Sequence, residues 1–218
     1  MYYYRINESI ALKAIGAFPQ SQTANHFVHV NSPNHLRNKQ IPLKLEVESV
    51  SIPQPILMKK AKRTDLISVV SISLKLVMSN RLKTILEANI GKNDWVQFLP
   101  MTIVDKEEIV DYWLMSVYQY SPENINFQQS EIWLKKSVTP IKQLFINTVE
   151  EFLTLNQEIK YPESLSINKL VFHTEINTHF FALSRVSGGV GFYVSEKLKQ
   201  EIEMAGCTGL SFEKVECV

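Results

Sequence analysis

Phe192-Tyr193-Val194-Ser195-Glu196-Lys197-Leu198-Lys199-Gln200-Glu201-Ile202-Glu203-Met204-Ala205, followed by Gly206-Cys207-Thr208 and Gly209-Leu210-Ser211-Phe212, decides the fold because the chain writes it twice. Residues 76–98 read Leu76-Val77-Met78-Ser79-Asn80-Arg81-Leu82-Lys83-Thr84-Ile85-Leu86-Glu87-Ala88-Asn89, then Ile90-Gly91-Lys92-Asn93-Asp94, then Trp95-Val96-Gln97-Phe98. Ser79 aligns with Ser195, Leu82 with Leu198, Lys83 with Lys199, Leu86 with Ile202 and Glu87 with Glu203. Both copies close on a phenylalanine after loops that differ by two residues.

Each copy reads as strand–helix–strand. An apolar strand ends at a serine whose side-chain oxygen can accept from the free N–H groups of a first helical turn. The helix then shows a buried stripe, Leu82 and Leu86 with polar Asn89 in one copy, and Leu198, Ile202 and Ala205 in the other. Lys83/Glu87 and Lys199/Glu203 stand four apart and can pair on the exposed side, worth roughly 0.3 kcal/mol each. Gly91 and Gly206 suit the left-handed residue that stops a helix. Two copies so far apart predict two related lobes; a solenoid would need several short units.

Working outward, alternating apolar residues predict strands at 2–6, at 26–30 and over Leu43, Leu45 and Val47, while Pro19, Pro33, Pro42, Pro53 and Pro55 keep this first quarter poor in helix. Between the copies, strands are expected at 101–104, 110–120, 131–135, 169–173 and 179–186. Ile141, Leu144, Phe145, Val149, Phe152 and Leu153 space a helix over 141–155. The fold class is α+β, with mixed sheets and two related strand–helix–strand units. Residues 1–64 form a strand- and loop-rich segment, and 65–218 one continuous globular unit with two lobes.

The apolar fraction of 45% and charged fraction of 21% are those of an ordinary globular protein. A net charge of +1 gives no global pull toward nucleic acid or anionic membrane. The charge is uneven: residues 1–63 carry nine basic against three acidic side chains, much of the excess in Lys59, Lys60, Lys62 and Arg63, a run that usually marks a solvated loop. The N-terminus lacks a signal-peptide pattern, and no apolar run approaches the ~20 residues that span a bilayer. Cys207 and Cys217 are therefore read as free thiols in a reducing cytoplasm.

The search for chemistry yields little. His26, His29, His35, His173 and His179 are scattered, with no HExxH and no CxxC, so no metal site and no cofactor is expected. The sole glycine cluster, Gly188-Gly189-Val190-Gly191, precedes a strand and reads as a hairpin bend; a phosphate loop would join a strand to a helix. Ser79 and Ser195 are explained as caps. Trp95, Trp113 and Trp133 read as core before contact. One acidic set stands out, Asp105, Glu107, Glu108 and Asp111, flanking a turn. It suits a solvated loop or a protein-binding patch, and no nucleophile, base and oxyanion site accompany it.

The second copy carries a family resemblance. Gly191-Phe192-Tyr193-Val194-Ser195-Glu196-Lys197-Leu198-Lys199 and Ala205-Gly206-Cys207-Thr208-Gly209-Leu210-Ser211-Phe212-Glu213 resemble the C-terminal signature of a bacterial immunity-protein family, immunity family eleven of polymorphic toxin systems. Met78-Ser79, Val96-Gln97-Phe98-Leu99-Pro100 and Asp111-Tyr112-Trp113-Leu114-Met115 fit its central part, and the likeness spans roughly residues 65–216. The resemblance implies a non-enzymatic cytoplasmic protein that binds and neutralises a cognate toxin effector domain. Toxins linked to the family are often nucleases, whose basic groove would meet acidic residues; Asp105, Glu107, Glu108 and Asp111 are the contact candidates. No direct contact with nucleic acid or membrane is implied. Two other classes stay open: a small enzyme whose dispersed residues converge only on folding, and a nucleic-acid-associated regulator acting through Lys59 to Arg63.

Overall fold

Apolar side chains at alternate positions dominate the chain, and strands dominate the fold. The computed structural model describes residues 2–26, 28–29, 31–36, 50–72, 75–90, 95–187 and 189–218. In chain order these give β1 (Tyr3–Glu8), α1 (Leu12–Ile15), β2 (Ser21–Asn25), β3 (Gln54–Leu57), β4 (Leu66–Ile67), β5 (Leu76–Met78), α2 (Asn80–Asn89), β6 (Val96–Asp105) and β7 (Glu108–Val117). There follow β8 (Glu131–Lys136), β9 (Thr139–Leu144), α3 (Val149–Glu158), β10 (Glu163–Lys169), β11 (Val171–Phe172), β12 (Phe180–Val186), β13 (Gly189–Ser195), α4 (Glu196–Met204) and β14 (Leu210–Cys217). One sheet runs β11-β14-β1-β13-β12-β10-β8-β9 and the other β2-β3-β6-β7-β5-β4. Each mixes parallel pairs (β10/β12, β11/β14, β3/β6) with antiparallel ones, so the chain is an α+β protein with two mixed sheets and little helix.

The chain separates into two compact units: Met1–Ile6 with Tyr120–Lys197 and Glu213–Val218, and Asn7–Gln119 with Leu198–Phe212. In the first, β12 and β13 form a hairpin whose register ends with Val186 opposite Gly189, in keeping with a bend at the glycine cluster, of which Gly188 lies outside the described residues. β1 lies antiparallel on β13, Tyr3 opposite Ser195. The core centres on four rings. Phe172 meets Tyr193 edge-on at 5.1 Å and Tyr3 at 5.9 Å, while Phe181 stacks on Tyr193 at 5.4 Å. Tyr3 is fully buried, and its hydroxyl donates to the Thr178 and Ile176 carbonyls at 2.7 and 3.1 Å, which removes the penalty of burying a phenol.

Two sequence expectations need correction. The segment expected to be helical over 141–155 begins as strand β9, because Pro140 and its β-branched neighbours favour extended backbone. The helix starts only at Val149, where the Thr148 hydroxyl accepts from the Glu151 N–H at 3.2 Å and the Glu151 carboxylate reaches back to the Asn147 N–H at 2.9 Å. The strand expected at 26–30 falls earlier, at β2, and His26 already turns with φ 56°. Phe27, Val30, the alternation over Leu43, Leu45 and Val47, and the helix stop at Gly91 lie outside the described residues.

In the second unit, a buried polar knot ties three chain segments together. Asp65 is 4% exposed. Its carboxylate accepts from Arg81 Nε and Nη2 at 3.0 and 2.7 Å, from Ser79 Oγ at 2.7 Å, and from the Thr208 backbone N–H and hydroxyl at 2.8 and 3.1 Å. Its backbone joins too: Asp65 N donates to the Thr208 carbonyl and Asp65 O accepts from Ser79 N. The Ser79 oxygen also accepts from Leu82 N at 3.3 Å, capping α2. Gly209 follows with φ 84°, and a Cβ there would stand 2.2 Å from the Leu66 carbonyl oxygen and 2.5 Å from Thr64 Oγ1, so only glycine fits.

Substituting Gly209→Ala is therefore expected to destabilise by on the order of 2–4 kcal/mol, read as a lowered urea midpoint. Asp65→Asn, which leaves Arg81 and Thr208 without an anionic acceptor, is expected to cost about 3 kcal/mol at pH 7 in the same assay.

Candidate functional site

β6 and β7 form a long ribbon, paired in unbroken register from Val96 opposite Val117 to Asp105 opposite Glu108, and turned by Lys106 and Glu107 with Lys106 at φ 60°. The acidic set sits at its tip, but alternation splits it. Asp105 and Glu108 face each other on the side whose inner positions, Ile103 and Tyr112, enter the core. Asp111, opposite Thr102, lies on the other side, and Glu107 is in the turn. Glu107, Glu108 and Asp111 are exposed and Asp105 half-buried. Arg63 pairs with Glu108 at 3.4 Å on the surface, which costs and contributes little. The set is thus a charged edge and not a convergent carboxylate pair.

The basic run divides. Lys59 and Lys60 are exposed, whereas Lys62 Nζ donates to the Lys13 carbonyl at 2.8 Å and Arg63 turns to Glu108. Trp95 is buried; Trp113 lies under Lys83, whose ammonium stands 4.7 Å from its ring and 5.5 Å from that of Phe98. Lys83 also bonds Glu87. At the aligned positions Lys199 lies 5.6 Å over Phe212 and bonds Glu203 at 2.9 Å. Ser195 ends β13, with its hydroxyl 2.9 Å from His179 Nδ1. His29 Nδ1 accepts from Asn31 N. Among the described residues no three His, Cys, Asp or Glu side chains group to hold a metal ion, and no helix is long and apolar enough to cross a membrane.

What the sequence did not flag is a cleft of about 340 Å³ in the second unit, lined by His26, Ile52, Pro53, Gln54, Pro100, Met101, Thr102 and Asp111. Gln54 Nε2 donates to Thr102 Oγ1 at 2.7 Å, and Gln54 Oε1 accepts from Asn25 Nδ2 at 3.0 Å. Neither residue belongs to a motif; only pairing β3 with β6 brings them together.

Several groups of the second unit are shifted from their ordinary range, among them Asp65, Glu8 and Lys75. Burial works to raise the Asp65 carboxyl, but hydrogen bonds from Arg81, Ser79 and Thr208 and the Arg81 charge outweigh it and hold it low. Burial alone pushes Glu8 up to about 7 and draws the Lys75 ammonium down. The signs differ. Asp65 supplies stability above the unfolded value of 3.8 that is lost as pH falls through its lower folded value. Glu8, raised in the fold, favours the folded state at low pH and weakens it as pH rises from 4.5 towards 7.

The second unit thus carries an acidic ribbon tip and an open cleft on a sheet of mixed direction. Residues 19–217 match the sequence model of the immunity protein family (Imm11), and the chain belongs to that family. Members of an immunity family act by neutralising toxins. A comparison with curated proteins finds no match.

Glu8→Gln is expected to leave stability unchanged near pH 4 and to raise it near pH 8, flattening the thermal midpoint between those limits; a parallel pH profile in variant and wild type would contradict the burial of this carboxylate.

Proposed function

We propose that this protein is a cytoplasmic bacterial immunity protein of a polymorphic toxin system, binding one effector domain of a cognate toxin and blocking it without catalysis of its own. The observation that carries the reading is the family match over residues 19–217. A lasting complex needs about 1,600 Å² of buried surface with a few anchoring side chains and complementary charge. The exposed carboxylates at the β6–β7 tip favour a partner with a basic face, such as the substrate groove of a nuclease. Asp105, Glu107, Glu108 and Asp111 are the proposed contacts. The equal contacts of Lys83 and Lys199 with their glutamates and phenylalanines support reading the two strand–helix–strand stretches as related units.

The test is co-purification with the effector domain encoded beside this chain, followed by rescue of cells that express the toxin. A stable complex with protection is expected. Alanine at all four acidic positions should weaken that complex on the order of tenfold or more while leaving the thermal midpoint near its wild-type value. Undiminished affinity would remove the ribbon tip from the interface, and failure to bind or protect against an active toxin would remove the immunity reading itself.

A further inference from the structure

The outer side of the β6–β7 ribbon is covered at one end and open at the other. Lys83 of α2 lies over Phe98 and Trp113. Beyond them on the same side come Thr102 opposite Asp111 and Val104 opposite Ile109, the latter 69% exposed. A polar row crosses this open stretch. Asn25 bonds Gln54, Gln54 bonds Thr102, and Asp111 stands across from Thr102 at the end of the row.

The amide of Gln54 is thereby committed on both its oxygen and its nitrogen. Among the described residues the Asp111 carboxylate makes no hydrogen bond or ion pair. Ile52, Pro53, Pro100, Met101 and His26 line the same cleft as this row. His26 is held by a backbone at φ 56°, its carbonyl accepting from Ser51 Oγ at 3.3 Å.

A carboxylate beside apolar walls selects its occupant by chemistry. An anion would be repelled by Asp111. A zinc ion needs three or four ligands, and the lining offers one carboxylate and one imidazole. A cavity of about 340 Å³ is near the lower limit for a small-molecule site, and this one is open to solvent. A long cationic side chain meets every condition: its methylenes lie along proline and isoleucine while its head reaches the carboxylate. Guanidinium is favoured over ammonium because its planar fork pairs with a carboxylate through two parallel bonds and is less strongly hydrated.

We propose that the cleft lined by Asp111, Ile52, Pro53 and Pro100 receives an arginine side chain of the partner protein, with Asp111 as its counter-ion. The proposal rests on the reading of this chain as a toxin inhibitor and names the partner's anchoring chemistry. It also sets Asp111 apart from Asp105, Glu107 and Glu108.

Two measurements on the full chain test it. In the first, N-acetyl-arginine amide is titrated into the isotope-labelled protein and amide shifts are followed by NMR, with the citrulline analogue as a neutral isostere. Weak saturable shifts confined to the amides of Ile52, Gln54, Met101, Thr102 and Asp111 are expected with arginine, several-fold weaker with citrulline and in Asp111→Asn. Shifts scattered over the surface, or equal for the two probes, overturn the proposal. In the second, capture of the toxin effector domain is compared between wild type and Asp111→Asn, with Glu158→Gln, an exposed carboxylate of the first unit outside the proposed contacts, as control. A loss of about tenfold or more in Asp111→Asn, against less than about twofold in the control, is expected for an anchoring pair. An equally tight complex in Asp111→Asn overturns the cleft and leaves the inhibitor reading standing. No complex with wild type overturns the inhibitor reading, and the arginine titration then decides the cleft alone.

Discussion

The Asp65 carboxylate receives five hydrogen bonds, two from one guanidinium, two from hydroxyl groups and one from a backbone amide. A buried anion with fewer donors would be a liability of several kcal/mol; with all its acceptor positions used, it becomes a fixed point. Three stretches far apart in sequence meet on it: the chain entering β4, the serine that opens α2, and the turn after α4. The second unit is discontinuous, built from residues 7–119 and 198–212, and this knot joins the two pieces. Around it the links continue. Gln20 bonds the Lys62 carbonyl, Thr64 and Ser68, the Tyr112 hydroxyl donates to the Thr64 carbonyl, and Ser9 N donates to the Gly209 carbonyl.

This arrangement explains the signature run Ala205-Gly206-Cys207-Thr208-Gly209 in physical terms. Gly206, at φ 66°, ends the helix; Thr208 gives its amide and hydroxyl to Asp65; Gly209 clears the backbone of Leu66 where any side chain would collide. The run is a clasp.

The proposed contact surfaces follow from the sheet. The β6–β7 ribbon has one side in the core and the other partly covered by α2, and its acidic tip and the cleft beside Asp111 stand on that paired ribbon. The four carboxylates do not share one side of the ribbon, because successive strand residues point to opposite sides.

Much was readable from the chain alone. Alternation announced β6, β7, β8, β12 and β13, the cap at Ser79 and the stop at Gly206 were local chemistry, and the immunity family was carried by a run of clasp residues. The Thr148–Glu151 capping pair was also written there, but the apolar spacing across Pro140 masked it. β10, Glu163–Lys169, has a polar composition and becomes a strand only because β8 and β12 lie on either side of it. Asp65 looked like any aspartate beside a basic run: its five donors come from residues 14 to 143 positions away, and no local pattern can announce them. The cleft at Asp111 is of the same kind. Local sequence determined strands, caps and turns because those depend on neighbours in the chain; tertiary structure alone decided the knot and the cleft, because each needs polar groups that meet only after the sheets have formed.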